Sequence, residues 1–418
     1  VSAILSGVVI KMGVYGLVRF LSLLPTPPAA WGGLLLLLGA ISGLLGVIYA
    51  LGQHDLKRLL AYHSVENIGI ILMGLGFAIV AVQDGNVAWG QLAFAGALLH
   101  VWNHGLFKAL LFLGAGSVLH ATGTREMSRL GGLWRAMPWT AGLFALGAVA
   151  ISGLPPLNGF VSEWLVYLGL FDAILTHGSA VWIAIPAAIL LAATGALALA
   201  CFVKVCGVVF LGAARSHAAE HAHESGPAMR LPMLLLAGLC VLTGLAPILF
   251  WPALAHAMTS WCPAWTSAEA SAPLEKLGTA QIVLAIVLFT GAILLWIKSR
   301  RNGIVRGPTW DCGYAAPTAR MQYTSASFAG TITEWFRWIL LPEHKGHKAR
   351  GYFPEEAMHL EHVPETVLDR LVAPVAGVVM RISTAVRHLQ HGRLQFYILY
   401  IVIGIVALGI LAFWGGVS

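Results

Sequence analysis

Charge is what this sequence has least of. Asp, Glu, Lys and Arg make up 10% of its 418 residues, against about 25% in a soluble domain. The chain is 58% hydrophobic, with a mean hydropathy of +0.80. That balance excludes an ordinary soluble enzyme and indicates an all-α, polytopic membrane protein. Cysteine is also sparse. Cys201, Cys206, Cys240, Cys262 and Cys312 form no CxxC pair, which argues against a disulfide framework, a metal knuckle or an iron–sulfur run. Buried, inert thiols are expected instead. There is no dinucleotide-binding glycine fingerprint, P-loop or catalytic-triad signature. No cofactor is therefore expected on this chain, nor redox chemistry or ATP hydrolysis performed by it, and nothing points to nucleic acid. No initiator Met or signal peptide opens the sequence, which starts inside an apolar run; it reads as the C-terminal piece of a longer protein.

What is present is a series of apolar runs, each long enough for a bilayer that needs about 20 helical residues. They fall at 1–20, 34–52, 62–82, 91–120, 138–175, 180–211, 231–252, 278–297 and 395–415. Lys57, Arg58, Arg125, Arg129, Arg135, Arg215, Arg230 and the cluster Lys298, Arg300, Arg301 and Arg306 fall on one side if 138–175 crosses once. Only Arg19 and Lys276 fall on the other. The basic side is predicted to be cytoplasmic and the C-terminus outside. A two-span hairpin at 138–175 would flip the later cations outward. One span is therefore predicted, broken at SGLPPLNG (152–159), where prolines remove backbone donors. A polar stretch, 298–363, precedes an amphipathic helix at 364–392. Its Leu368, Leu371, Val375, Val378, Ile382, Val386 and Leu389 recur at three- and four-residue steps. It is suited to a membrane surface or to the side of neighbouring helices.

The few charges inside apolar runs carry the functional signal. Lys108 is the only formal charge between Asp84 and Arg125. His100, His104 and Lys108 are four apart, so on a helix each turns about 40° from the last and all three share a face. A lone ammonium in hydrocarbon costs ~2.5–3.5 kcal/mol on insertion scales, so it belongs in a wet protein interior. Glu163 stands alone between Arg135 and Asp172, just past the predicted break; discontinuous helices of ion carriers place titratable groups there. Lys11 lies within the first run. Lys204 lies near the cytoplasmic end of its span, where snorkelling to the interface is an equal alternative. His63 and Glu66, in AYHSVENIG, are either a proton entrance or ordinary interfacial residues. Burial disfavours the charged forms of Lys and Glu and brings both toward neutral titration, where His already titrates. Such groups suit a proton path. A haem or metal on His100 and His104 lacks a matching ligand set. His217, His221 and His223 read as a solvated loop rather than a metal trap.

The segments VVIKMGVYGLVRF, HDLKRLLAYHSVENIG, HVWNHGLFKALLFLGAGSV and ISGLPPLNGFVSEW resemble the antiporter-like subunits of respiratory complex I, membrane-bound hydrogenases and multisubunit cation/proton antiporters. WDCGY (310–314), YTSASFAGTITEWF (323–336) and HGRLQFYILYIVIG (391–404) resemble one branch, the hydrogenase-4 component B and formate hydrogenlyase membrane-subunit group. The resemblance implies two inverted five-helix repeats. Here 1–20 is the last helix of a first repeat that lies upstream, and 34–211 a complete second repeat. Two additional helices (231–297), the lateral or surface helix (364–392) and a last span (395–415) follow. It implies a proton path through Lys11, His100, His104, Lys108 and Glu163; His63, Glu66 and Lys204 are candidate entrance or auxiliary groups on the reading of the residues alone. It also implies proton translocation driven by partner subunits, in the inner membrane of a prokaryote. Those partners are other membrane subunits and a hydrogenase- or quinone-reductase-like peripheral arm, which alone would hold nickel–iron, Fe–S or quinone. The alternatives are a sodium/proton antiporter subunit with no redox partner, and a structural scaffold.

Overall fold

The architecture comes from a computed structural model that describes all residues except 25, 177, 266–271, 304–317, 320, 348–357, 366, 388–391 and 416–418. Among the described residues, eight helices are long and apolar enough to cross a membrane, and the chain is a multi-pass membrane protein. It divides into two compact units, Val1–Trp338 and Ile339–Ser418.

In the first unit, a π-helical turn, Leu5–Val9, leads into α1, Ile10–Leu21. Then follow α2 (Ala29–Leu51), α3 (Leu56–Asp84) and α4 (Val87–Thr122). The predicted broken span is α5 (Pro138–Ile151) and α6 (Asn158–Leu175), separated at 152–157. α7 (Val181–Val209) and α8 (Pro227–Leu245) complete the central bundle. α4 lies at its middle, against α3, α5, α6 and α8, while α7 packs on α2 and α6.

Local chemistry explains these boundaries. Asp55 caps α3, its carboxylate accepting from the Lys57 and Arg58 amides at 2.9 Å, which satisfies donors that a helix start leaves orphaned. α2 and α3 approach through glycines. A Cβ on Gly39 would lie 2.6 Å from the Gly69 carbonyl, and one on Gly69 2.5 Å from the Gly39 carbonyl, the small-residue contact that membrane helices use.

Two elements differ from the sequence reading. The predicted span 231–252 ends at Leu245, because Pro247 supplies no backbone donor; a 3-10 turn (Pro247–Phe250) and α9 (Trp251–Trp261) follow. Composition hid this, since the stretch stays apolar throughout. α10, Leu274–Asn302, is the next long helix. In the polar stretch beyond it, α11 (Ser325–Trp335) packs against α7 and α2. The WDCGY motif and Cys312 lie outside the described residues.

In the second unit, β1 (Glu343–His347) pairs antiparallel with β2 (Met358–His362), Glu343 opposite His362. The sequence reading held no strand there. The predicted amphipathic helix over 364–392 is seen as a π turn, Leu368–Val372, and α12, Ala373–Arg387, beginning later than predicted; Leu389 of its apolar stripe lies outside the described residues. α13, Leu394–Gly415, is the last apolar helix.

Candidate functional site

All eight ionisable residues singled out above are buried, none more than 8% exposed. Lys204 therefore does not snorkel. Its Nζ donates inward to the Leu51 and Gln53 carbonyls, at 2.6 and 3.2 Å, closing the C-terminal end of α2. His63 and Glu66 are buried as well. One turn apart on α3, they hydrogen-bond through His63 Nδ1 and Glu66 Oε2, fully inside the bundle. His63 also lies beside the Cys201 thiol and against the Phe202 ring, both from α7.

Lys108 projects from α4 onto α3. Its Nζ donates to the Leu60 carbonyl and sits 5.6 Å from the centre of the Phe112 ring. The Ser64 hydroxyl shares that carbonyl, at 3.4 Å. Ser64 in turn meets the Ser6 hydroxyl at 2.7 Å, and Lys11 Nζ donates to the Ser6 carbonyl. The π turn at Leu5–Val9 lies immediately before Lys11; such turns often occur at functional positions. Lys11 and Lys108, on different helices, are thus joined through two serines.

A second line of hydrogen bonds leads from α3 toward α6. Asn67 Nδ2 donates to the His63 carbonyl at 2.8 Å, leaving its Oδ1 to accept from His100 Nε2 at 3.0 Å. That fixes the proton of a neutral His100 on Nε2, so Nδ1 accepts from the Ser162 hydroxyl at 2.9 Å. Asn103 Nδ2 bonds Ser162 Oγ at 3.0 Å and the Asn158 carbonyl at 2.7 Å. Ser162 adjoins Glu163, in the early turns of α6 just past the break. Glu163's carboxylate abuts Gly153, whose φ of +62° and missing Cβ make room for it; a Cβ there would lie 2.6 Å from Oε2.

Electrostatic interactions tie the two lines together. Glu66 interacts with both Lys108 and Glu163. His104 interacts with Lys11, Lys108 and His100, and its ring stacks toward His100 at 6.4 Å. Both His104 nitrogens are buried with no hydrogen-bond partner among the described residues; buried polar groups of this kind are commonly served by water.

The sequence reading found the ionisable groups but missed Ser6, Ser64, Asn67, Asn103 and Ser162. A signal existed for some. Asn67 is one turn beyond His63, Asn103 three residues beyond His100, and Ser162 adjacent to Glu163. Outside the bundle, His217 and His221 stack at 4.1 Å and His223 lies edge-on to His120. Arg215 clamps the neighbouring loops, donating to the Leu130 and Val208 carbonyls at 2.8 Å and to Tyr323 at 2.5 Å. Burial pushes its guanidinium below the usual arginine range.

Residues 1–184 match the family described as "NADH:quinone oxidoreductase/Mrp antiporter, TM". The chain is 39% identical to hydrogenase-4 component B of Escherichia coli, over 97% of this chain and 63% of that protein. It is 36% identical to an uncharacterised protein of Mycobacterium tuberculosis, over 99% of this chain and 67% of that one. The chain thus spans about two thirds of the length of these curated relatives. Among solved structures, a chain of the membrane-bound sulfane sulfur reductase, an archaeal respiratory complex, shares the fold. Its TM-score is 0.67 at 24% identity, over 98% of this chain and 62% of that one.

Proposed function

We propose, on the premise that the chain belongs to the NADH:quinone oxidoreductase/Mrp antiporter transmembrane family, that it conducts protons across the membrane as part of a redox-driven, hydrogenase- or complex-I-like assembly. One observation carries this reading. Buried hydrogen bonds from His63 and Glu66 through Asn67, His100 and Ser162 reach the residue beside Glu163, while Lys108 lies within the field of Glu66. Ionisable groups of both signs, held close in a low-dielectric interior, control one another's protonation.

In this account α2–α7 form one five-helix repeat of the family, with α1 packed beside it. Protons come from the side bearing Arg58, Arg125, Arg215 and the cations in the last turns of α10, which is the cytoplasmic side of a prokaryotic inner membrane. They load Lys11 and Lys108. Movement of charge on Lys108 changes the affinity of Glu66. Water carries the proton along the seam lined by His100 and Ser162 to Glu163, which releases it outward; Asn67 Oδ1 accepts from His100 Nε2–H and holds that ring in place. Water bridges His104 to its neighbours. Lys204 holds the end of α2 behind His63 and Cys201, an auxiliary role. The amphipathic α12 lies at a membrane interface, and the C-terminus faces outward. Nickel–iron, Fe–S and quinone chemistry belongs to partner subunits in a peripheral arm.

The test uses the full-length protein in its complex, reconstituted in liposomes. Lys108→Ala should abolish proton translocation while partner subunits still turn over their redox substrate. Undiminished translocation would refute the reading. Sodium uptake that replaces proton movement in the parent complex would instead favour a sodium/proton antiporter subunit.

A further inference from the structure

We infer that the Ser6–Ser64 hydroxyl pair is the junction through which protons from the basic side are shared between Lys11 and Lys108; this rests on the proton-conducting reading above. A cavity of about 590 Å³ opens beside α1 and α3. Asp55, Lys57, Arg58 and Arg125 stand at its charged end, and Ser6 and Ser64 line its wall. Arg125 is fixed to Asp55 by an ion pair at 3.1 Å, with Leu56 N and Met127 N bonding across the same two loops at 2.9 Å, so the mouth is held by backbone as well as by charge. A polar mouth of this size admits water.

The two hydroxyls touch each other, and each serine is bonded beside one lysine, Ser6 through its backbone carbonyl and Ser64 through a shared acceptor. Ser64 shares the Leu60 carbonyl with the Lys108 ammonium, which brings hydroxyl and amine within reach of a single bridging water. Ser6 offers its carbonyl to Lys11. A hydroxyl that accepts a proton from hydronium in the cavity, leaving water behind, gives up its own to the next acceptor. Each serine therefore ends the transfer unchanged, and the net event is protonation of one neutral amine. Because the serines sit on different helices, the contact exists only while the π turn before α1 lies against α3. Alanine in place of either serine removes the hydroxyl, leaves both lysines in position and breaks the link.

Four variants of the full-length protein, in its complex in liposomes, test this. Ser64→Ala should lower proton translocation about tenfold or more at unchanged redox turnover, and Ser64→Thr, which keeps the hydroxyl, should retain most of it. Ser64→Cys should react with the anionic, membrane-impermeant reagent methanethiosulfonate ethylsulfonate added on the basic-loop side, and that modification should stop translocation. Lys108→Ala serves as the reference for the pathway. Normal translocation by Ser64→Ala, with Lys108→Ala inactive, overturns the junction and leaves the pathway standing. A Ser64→Cys thiol that never reacts from the basic-loop side overturns the cavity as its access route. Normal translocation by Lys108→Ala overturns the pathway itself, and the junction with it.

Discussion

Asn67→Leu separates a proton wire from a merely packed polar core. Asn67 is fully buried; its amide donates to the His63 carbonyl of its own helix at 2.8 Å, and its Oδ1 accepts from His100 Nε2 at 3.0 Å, a hydrogen bond that joins α3 to α4 at this level. Leucine branches at the same atom, is somewhat larger and has no polar atom, so it opens no cavity. It strands the His100 Nε2–H inside the bundle, which costs ~1–3 kcal/mol when a buried donor loses its acceptor. If that penalty falls on the transfer step, each ~1.4 kcal/mol slows it tenfold, for a total of about 5- to 150-fold. The variant complex should accumulate normally, turn over its redox substrate, and acidify or alkalinise the liposome interior at the correspondingly lower rate, read with an entrapped pH dye. Normal proton movement at equal protein abundance refutes the assignment of Asn67 and His100 to the path.

Other perturbations follow from the same geometry. Lys204→Met removes a cation from the Leu51 and Gln53 carbonyls; a loss of ~1.5–3 kcal/mol is expected, seen as a lower melting temperature of the complex, whereas a snorkelling lysine would leave it unchanged. Gly39→Leu forces a side chain into the Gly69 carbonyl, and the subunit should fail to accumulate, as judged by immunoblot of membranes. Arg215→Ala frees the carbonyls of Leu130, Val208 and Tyr323, so limited proteolysis around 318–324 should accelerate. Burial pushes the Cys262 thiol above its usual value; less thiolate is then present at about pH 8, and N-ethylmaleimide should react more slowly than with free cysteine until denaturant is added.

Much of this was legible in the sequence because one-dimensional spacing encodes a helix face. His100, His104 and Lys108 at four-residue steps, and His63 and Glu66 at three, announced shared faces that the structure contains. The double proline and paired glycines of 152–159 marked the helix break. Spacing says nothing about which helices meet. The Ser6–Ser64 contact, the Lys108 bond to a backbone carbonyl and the Asn67–His100–Ser162 line all join residues 33 or more positions apart. Lys204 was ambiguous because its depth within a long apolar run does not reveal whether its ammonium turns inward. The end of α8 at Leu245 was hidden by uninterrupted hydrophobicity, and the β1–β2 ribbon by a polar composition with no alternation.

The central claim is that Lys108 and Glu163 are linked by a continuous, hydrated polar seam. A cryo-electron microscopy map of the full-length complex, at a resolution that shows individual waters, tests it most directly. The account predicts ordered water on both nitrogens of His104, joined to Lys11 and Lys108, with the Asn67–His100–Ser162 bonds intact. A dry, apolar enclosure around His104 and a break in those bonds would contradict it.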